Sequence, residues 1–496
     1  MRRLAQAVAV ILAWCAAPVV AEPWREASAP HFVIYAQYSA EELRNYAVQL
    51  ERFHKAMEVL RRLPGTPVGN ANRVTIYVMS DAQAVSKLAG AAGGGIAGFY
   101  RRRAGDAIAV TSREKADHWT DMTPQIVLFH EYAHHFMLRY FPAAYPAWFR
   151  EGFAEFNSTA RFLPDGGMEI GAPANHRAYE LAVIRRPDVA LMLADPGRGA
   201  SVGSMELYGF GWLLTHYLTF NDARKGQLAK YLDAINAGTP GRDAAIAAFG
   251  DLPALQREVM RYRRDKVKLA RLRPEELPVG AIAVRDLAPG EAAMLPVAMR
   301  ARLADADENE RGIAREARRI AQGLPRDVAV LVALAQAEFV GGDMDAANAA
   351  AAQATTTDPR SIDALLIQAR VALRRAVGAG DAAAKRRFAR DARRLSLAAN
   401  RIDADHPVPL LLFYQSFVAA NEQPTANAVQ GLTSAHLLAP EDSALRLLLA
   451  EQMIADAKPK EARILLTPVA FDTHGGKQTE AAQALLAKLT TAKPGE

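Results

Sequence analysis

The 496 residues leave room for several domains, and a hydrophobic share of 50% is enough to fill their cores. The formal net charge is +6, and the basic runs Arg101-Arg102-Arg103 and Arg261-Tyr262-Arg263-Arg264 are short. No nucleic-acid motif accompanies them, so they read as solvated faces, and nucleic acid is not expected as a partner.

Arg2 and Arg3 precede an apolar run, Leu4 to Val20, and Val19 and Ala21 are the small residues a processing enzyme needs. Residues 1–21 therefore read as a secretory signal peptide cleaved after Ala21. The run is too short and wrongly flanked for a membrane span, and no later stretch is long and apolar enough for one. The expected product is exported, periplasmic or secreted, with no transmembrane segment after cleavage. Trp14 is too large for the position before a lipidated Cys15. Since Cys15 is the only cysteine, cleavage leaves none, and the charge falls to +4 (58 basic against 54 acidic residues). Disulfides and a cysteine nucleophile are thereby excluded, and any metal must be held by histidine and carboxylate.

His31 to Tyr38 and Arg73 to Met79 are β-branched and aromatic runs that predict strands. Between them Ala40 to Leu63 has helical apolar spacing, with Ser39 and Glu42 placed as a capping box. The glycine-rich stretch Gly90 to Gly98 reads as a lid or a plain flexible loop. Gly98 to Arg103 and Ala107 to Thr111 predict a hairpin around Gly105-Asp106.

Next comes His130-Glu131-Tyr132-Ala133-His134, inside the apolar helical stretch Gln125 to Tyr140. Residues four apart share one helix face, so His130 and His134 can offer two imidazole nitrogens to one metal ion. Glu131 is placed to reach a water on that ion as general base. His135 points about 100° away and reads as a packing or surface residue. Pro142 and Pro146 break the chain before a second helical segment, Trp148 to Phe156 (WFREGFAEF). A two-histidine zinc site needs a third protein ligand, and carboxylate is an accepted type. Glu151 and Glu155 lie four apart on this second helix and can both face the first. Glu151 is assigned as the ligand, and Glu155 as the carboxylate that orients a ligand histidine through its other ring nitrogen.

H-E-x-x-H followed by W-x-x-E-G-F-A resembles the gluzincin metallopeptidases, in particular the aminopeptidase group and its bacterial peptidase-MA-like relatives. In that superfamily the glutamate before Gly-Phe-Ala is the third zinc ligand, which maps to Glu151. Two departures are visible. Sixteen residues separate His134 from Glu151, slightly fewer than in the aminopeptidases. The exopeptidase motif G-x-M-E-N is missing; the nearest stretch, Gly93 to Gly98, carries no acid to hold a free amino group. Aminopeptidase activity is therefore not expected. Tyr208 to Leu218 (YGFGWLLTHYL) loosely resembles the helix that carries an oxyanion-stabilising tyrosine in that group. Tyr208 is the candidate, Tyr217 the fallback, and an ordinary amphipathic core helix the alternative.

The resemblance implies an α+β zincin-like catalytic domain, a small mixed sheet plus active-site helices, over residues 22–275. An edge strand pairs with an extended substrate in such folds, and Ile108 to Thr111 is the candidate. Helices past Asp222 complete this domain, and Pro and charge interrupt the pattern near Leu272 to Pro278. Residues 276–307 read as a linker, with Val279 to Leu295 an extended stretch or hairpin. Residues 308–490 then become rich in Ala, Leu and Arg. Pro325 and Pro359 lie 34 residues apart, the tetratricopeptide period. Small residues fall where paired helices must cross closely: Ala335, Ala347, Ala354, Ala392, Ala399, Ala428, Ala435, Ala450 and Ala462. The unit between Pro359 and Pro407 carries an insertion around Ala376 to Lys385. This part resembles degenerate tetratricopeptide repeats, an all-α stack whose concave face suits a protein partner. Thr490 to Glu496 read as a frayed tail.

The expected function is a zinc-dependent metallopeptidase with one Zn2+, acting on a peptide or protein. Two alternatives stay open: an inactive peptidase-like scaffold whose repeats mediate protein–protein interaction, and a zinc hydrolase of a non-peptide amide.

Overall fold

The computed structural model of the chain describes residues 22–65, 67–90, 96–115, 117–184, 187–194, 203, 205–304, 311–472 and 476–491. The expected signal peptide, residues 91–95 of the glycine-rich stretch and most of the expected tail lie outside the described residues.

Five early strands are β1 Arg25–Ser28, β2 Phe32–Ala36, β3 Val74–Met79, β4 Gly98–Arg101 and β5 Ile108–Ser112. Two short strands, β6 Arg161–Phe162 and β7 Met168–Ile170, pair with β8 Ala270–Leu272 in a separate small sheet. The last strand, β9 Ala283–Asp286, returns to the first sheet, whose order is β4-β5-β3-β2-β1-β9. β2, β3 and β5 run parallel and the flanking pairs antiparallel, so the sheet is mixed. β3 (VTIYVM) is apolar almost throughout because helices cover both faces at the centre of the sheet.

One face packs on α1 Ala40–Arg61 and α3 Pro124–Tyr140; Ile34, Ile76 and Ala109 meet Leu43, Phe53 and Phe136 there. The other face packs on α2 Ala82–Leu88, through Val85 against Tyr77 and Val110. Ser39 caps α1 with Glu42 in the predicted reciprocal pair, and Thr123 caps α3 with Pro124 at its first turn. α4 Ala147–Ser158 follows Pro146 and is buried along its whole length. Shorter helices complete this part: α5 Ala178–Val183, α6 Val189–Ala194, α7 Gly211–Phe220, α8 Gln227–Asn236, α9 Gly241–Phe249 and α10 Leu252–Tyr262.

Three expectations need correction. Ile108 to Thr111 is not an edge: β5 is paired on both sides, with β3 and β4, and β4 is the edge strand. Residues 276–307 are not a linker. β9 pairs with β1 in register from Arg25↔Asp286 to Ser28↔Ala283, and α11 Pro289–Leu303 lays Leu295 and Met299 on Tyr77 and Ile108. β-pairing and apolar burial hold this segment to the sheet, so the extended reading of Val279 to Leu295 fits only its first half. The chain also does not break at Leu272, which pairs back to Met168.

The helical stack continues as α12 Arg311–Ala321, α13 Val328–Val340, α14 Met344–Thr357, α15 Ile362–Gly378, α16 Ala382–Ile402, α17 Pro407–Ala419, α18 Ala426–Leu438, α19 Ser443–Ala455, α20 Pro459–Ala470 and α21 Gly476–Thr491. Each packs chiefly on its neighbours in sequence, the arrangement of a helical-repeat protein. All nine alanines placed at helix crossings are fully buried. The predicted insertion is a longer hairpin: α15 runs on to Gly378 and α16 spans 21 residues. Among the described residues no helix is long and apolar enough to cross a membrane.

Candidate metal centre

α3 and α4 pack side by side and bring the three assigned ligands together. The Nε2 atoms of His130 and His134 are 3.1 Å apart, and each is 3.4 Å from Oε2 of Glu151. Bonds of 2.0–2.2 Å in a tetrahedron place ligand atoms about 3.3 to 3.6 Å from one another; the two distances to Glu151 fall in that range and the His130–His134 distance is slightly shorter. The triangle and its N,N,O donor set would suit one small divalent ion, and His134 also lines a cleft beside it. Glu151 is almost entirely buried, His130 and His134 nearly so. Burial pulls the His134 imidazole below its ordinary value, toward the neutral form a metal requires, although Glu151 opposes this. Burial acts on His130 in the same sense. Its hydrogen bonds to Glu151 and Glu155 outweigh that and raise it to about 10.

Glu155 lies behind this triangle. One oxygen is 3.2 Å from Nδ1 of His130 and accepts from Arg177 at 2.7 Å; the other is 2.7 Å from Nε2 of His176. Burial alone would raise the Glu155 carboxyl, but these partners hold it well below the carboxylate range. An ionised Glu155 holds the His130 ring with Nε2 turned toward Glu151 and His134, the orientation that binding an ion there would need. Glu155→Gln is expected to weaken zinc binding about 10- to 100-fold without unfolding the chain, measured by competition with a chromogenic chelator. His176 and Arg177 are additions that sequence reasoning missed, and no spacing pattern marks them.

Tyr208 lies in a π-helical turn, Glu206–Phe210, that runs into α7. Such turns re-aim a side chain and often occur at functional sites. The Tyr208 ring centroid is 6.0 Å from that of His130, and the Arg177 guanidinium stacks over the ring at 4.6 Å. Burial, then the charge of Glu151, raises its pKa, so the phenol remains a hydrogen-bond donor. The fallback is displaced: Tyr217 donates to Glu258 of α10 at 2.6 Å, away from the triangle. His135 is a packing residue in the buried interior, its Nδ1 2.5 Å from the Tyr100 hydroxyl of β4.

Glu131 faces a cleft of about 260 Å³ together with His134, the edge strand β4, Arg102, Arg150 and Asp472. Sequence reasoning named none of the last three as site residues. Arg102 belongs to a run read as a solvated face, yet it bonds Asp472 of the helical stack. A second cluster also went unseen: His31, His54 and Glu58, where His54 and His31 stack at 3.7 Å and Nδ1 of His31 meets Glu51 at 2.7 Å. Near-parallel rings aim their lone pairs side by side rather than at one point, which suits packing beneath α3.

No family model matches the chain, and no curated protein matches it. Solved structures match in part. A thermophilic tetratricopeptide protein of Thermus thermophilus has a TM-score of 0.35 and 15% identity, over 40% of this chain and 99% of that one. A MamA double mutant has a TM-score of 0.28 and 12% identity, over 41% and 99% of the two chains. Yeast Tom70 has a TM-score of 0.31 and 12% identity, over 72% and 69%. Likeness at this level says nothing about what the chain does.

Proposed function

We propose that the chain is an exported zinc-dependent metallopeptidase with an α+β zincin-like catalytic part, whose tetratricopeptide-like stack helps form the substrate cleft. The observation that carries this reading is the triangle of His130, His134 and Glu151 at tetrahedral spacing, beside Glu131 in a cleft. A zinc ion held there would polarise a peptide carbonyl and acidify a water. Glu131 takes the proton of the attacking water and passes it to the leaving amine nitrogen. Tyr208 donates a hydrogen bond to the carbonyl oxygen as its charge grows. β4, the edge strand of the sheet among the described residues and beside Glu131, offers backbone groups to an extended substrate, the role expected of Ile108 to Thr111.

A second reading, an inactive scaffold that binds a protein, draws on another observation. The stack and the β4–β5 hairpin enclose a groove of about 1410 Å³ with mostly apolar walls. Metal analysis separates the two. About one zinc per chain in the mature protein, lost in His130→Ala, is the expected result. No stoichiometric metal in either, even after zinc is supplied, would leave the scaffold reading. Once zinc is found, cleavage of a peptide library distinguishes a peptidase from a hydrolase of other amides.

A further inference from the structure

The cleft holds two arginines that the mechanism above does not use. Arg102 follows the edge strand and Arg150 immediately precedes Glu151, and both line the cleft with Glu131 and His134. Between them lies Asp472, from the end of α20 in the helical stack. Arg102 Nη2 donates to one of its oxygens and Arg150 Nη1 to the other, each at 2.7 Å. Arg150 is 3% exposed and also donates to the Pro468 carbonyl at 3.4 Å, yet its buried Nε–H has no acceptor among the described residues. Among the described residues, the carboxylates that act most on the two arginines are Asp472, Glu131 and Glu151. Glu131 and Glu151 balance a divalent ion, and Asp472 balances one arginine. One positive charge then remains over in a confined, partly dry space, where an added anion gains most.

We propose that Arg102 and Arg150 form a carboxylate-binding subsite of the cleft, for which a substrate carboxylate competes with Asp472. The inference rests on the peptidase reading for its ligand class: a peptide bearing a carboxylate close to the scissile bond. The source is a chain terminus or an acidic side chain, and the two present the same group to the guanidinium pair. Other bonds, made without Asp472, also dock the stack. Arg139 bonds Glu441 at 3.2 Å, the Ala104 N–H donates to Asp442 at 2.7 Å and Asn72 bonds the Asp405 carbonyl at 3.1 Å.

The test is calorimetric titration of the zinc-loaded mature chain carrying Glu131→Gln, which binds without turnover. Three probes are compared: acetyl-tetraalanine as free acid, its C-terminal amide, and that amide with one alanine replaced by glutamate. At least one carboxylate probe is expected to bind about ten-fold tighter than the neutral amide. Preference for the free acid identifies a chain terminus, and preference for the glutamate peptide an acidic side chain. Adding Asp472→Asn is expected to tighten the preferred probe by a further factor of about ten and leave the neutral amide unchanged. Adding Arg102→Gln instead is expected to remove the preference; there Arg150 still holds Asp472. A purely structural ion pair predicts the opposite for Asp472→Asn: all three probes weaken together or none changes, and either result overturns the subsite. So does equal binding, or no binding, of all three probes. The peptidase reading is judged separately, by library cleavage with the wild-type chain. Cleavage without carboxylate preference sinks only the subsite; preference without cleavage sinks only the peptidase.

Discussion

Glu131→Gln is expected to lower turnover by about 10² to 10⁴ while the protein keeps its zinc. The amide has the shape of the carboxylate, so the cleft and β4 stay in place, but it cannot accept the proton of the attacking water. Metal retention follows from geometry. The proposed ligand triangle is His130, His134 and Glu151, and Glu131 faces the cleft beside it. kcat and kcat/KM should fall together, because the lost interaction belongs to the transition state rather than to substrate binding. Steady-state kinetics on a peptide taken from the library, with metal content measured on the same sample, gives both numbers. Full activity in this variant would remove Glu131 as the base. Loss of metal along with activity would mean that Glu131 holds the ion and that the ligand set is wrong.

The parts of the site that were legible from sequence are the parts built from local helix geometry. His130 and His134 share a face because they are four apart, and so do Glu151 and Glu155. The proline break between the helices predicts that they fold back on each other. The repeat period was legible for a similar reason: crossing helices demand small residues, and the alanines at those positions are fully buried. What stayed hidden depends on contacts across long stretches of chain. Asp472 meets Arg102 from 370 residues away, and β9 pairs with β1 across more than half the chain. Composition marks neither. Arg102 looked like part of a solvated basic run because a run of charge carries no sign of what folds over it. Strand order was hidden likewise, since Ile108 to Thr111 and Gly98 to Arg101 are both short apolar runs. Pairing on β3 then placed β5 inside the sheet and left β4 on the edge.

Gly152→Ala is expected to cost on the order of 3 kcal/mol of stability and to loosen the metal site with it. Gly152 follows the proposed ligand Glu151 on α4, at the point where α4 crosses α7. A Cβ there would lie 2.3 Å from the Gly211 carbonyl oxygen and 2.4 Å from the Thr215 hydroxyl. The reverse contact is as tight: a Cβ on Gly211 would lie 2.7 Å from the Trp148 carbonyl oxygen. The Gly211 backbone is the nearest obstacle, so turning the Thr215 hydroxyl aside would not make room. α4 has to move away from α7, and Glu151 moves with it. Position 152 is therefore glycine for close approach, the helix being otherwise ordinary. Chemical denaturation measures the stability change, and zinc content of the folded fraction reads the displacement of Glu151. Gly431→Ala in α18 is the control, since its Cβ would meet nothing nearer than 3.8 Å. Alanine there should raise stability by about 0.4–1 kcal/mol, because it narrows the unfolded chain's freedom and favours helix. A Gly152→Ala protein as stable and as rich in zinc as the control would show that the two helices do not cross this closely.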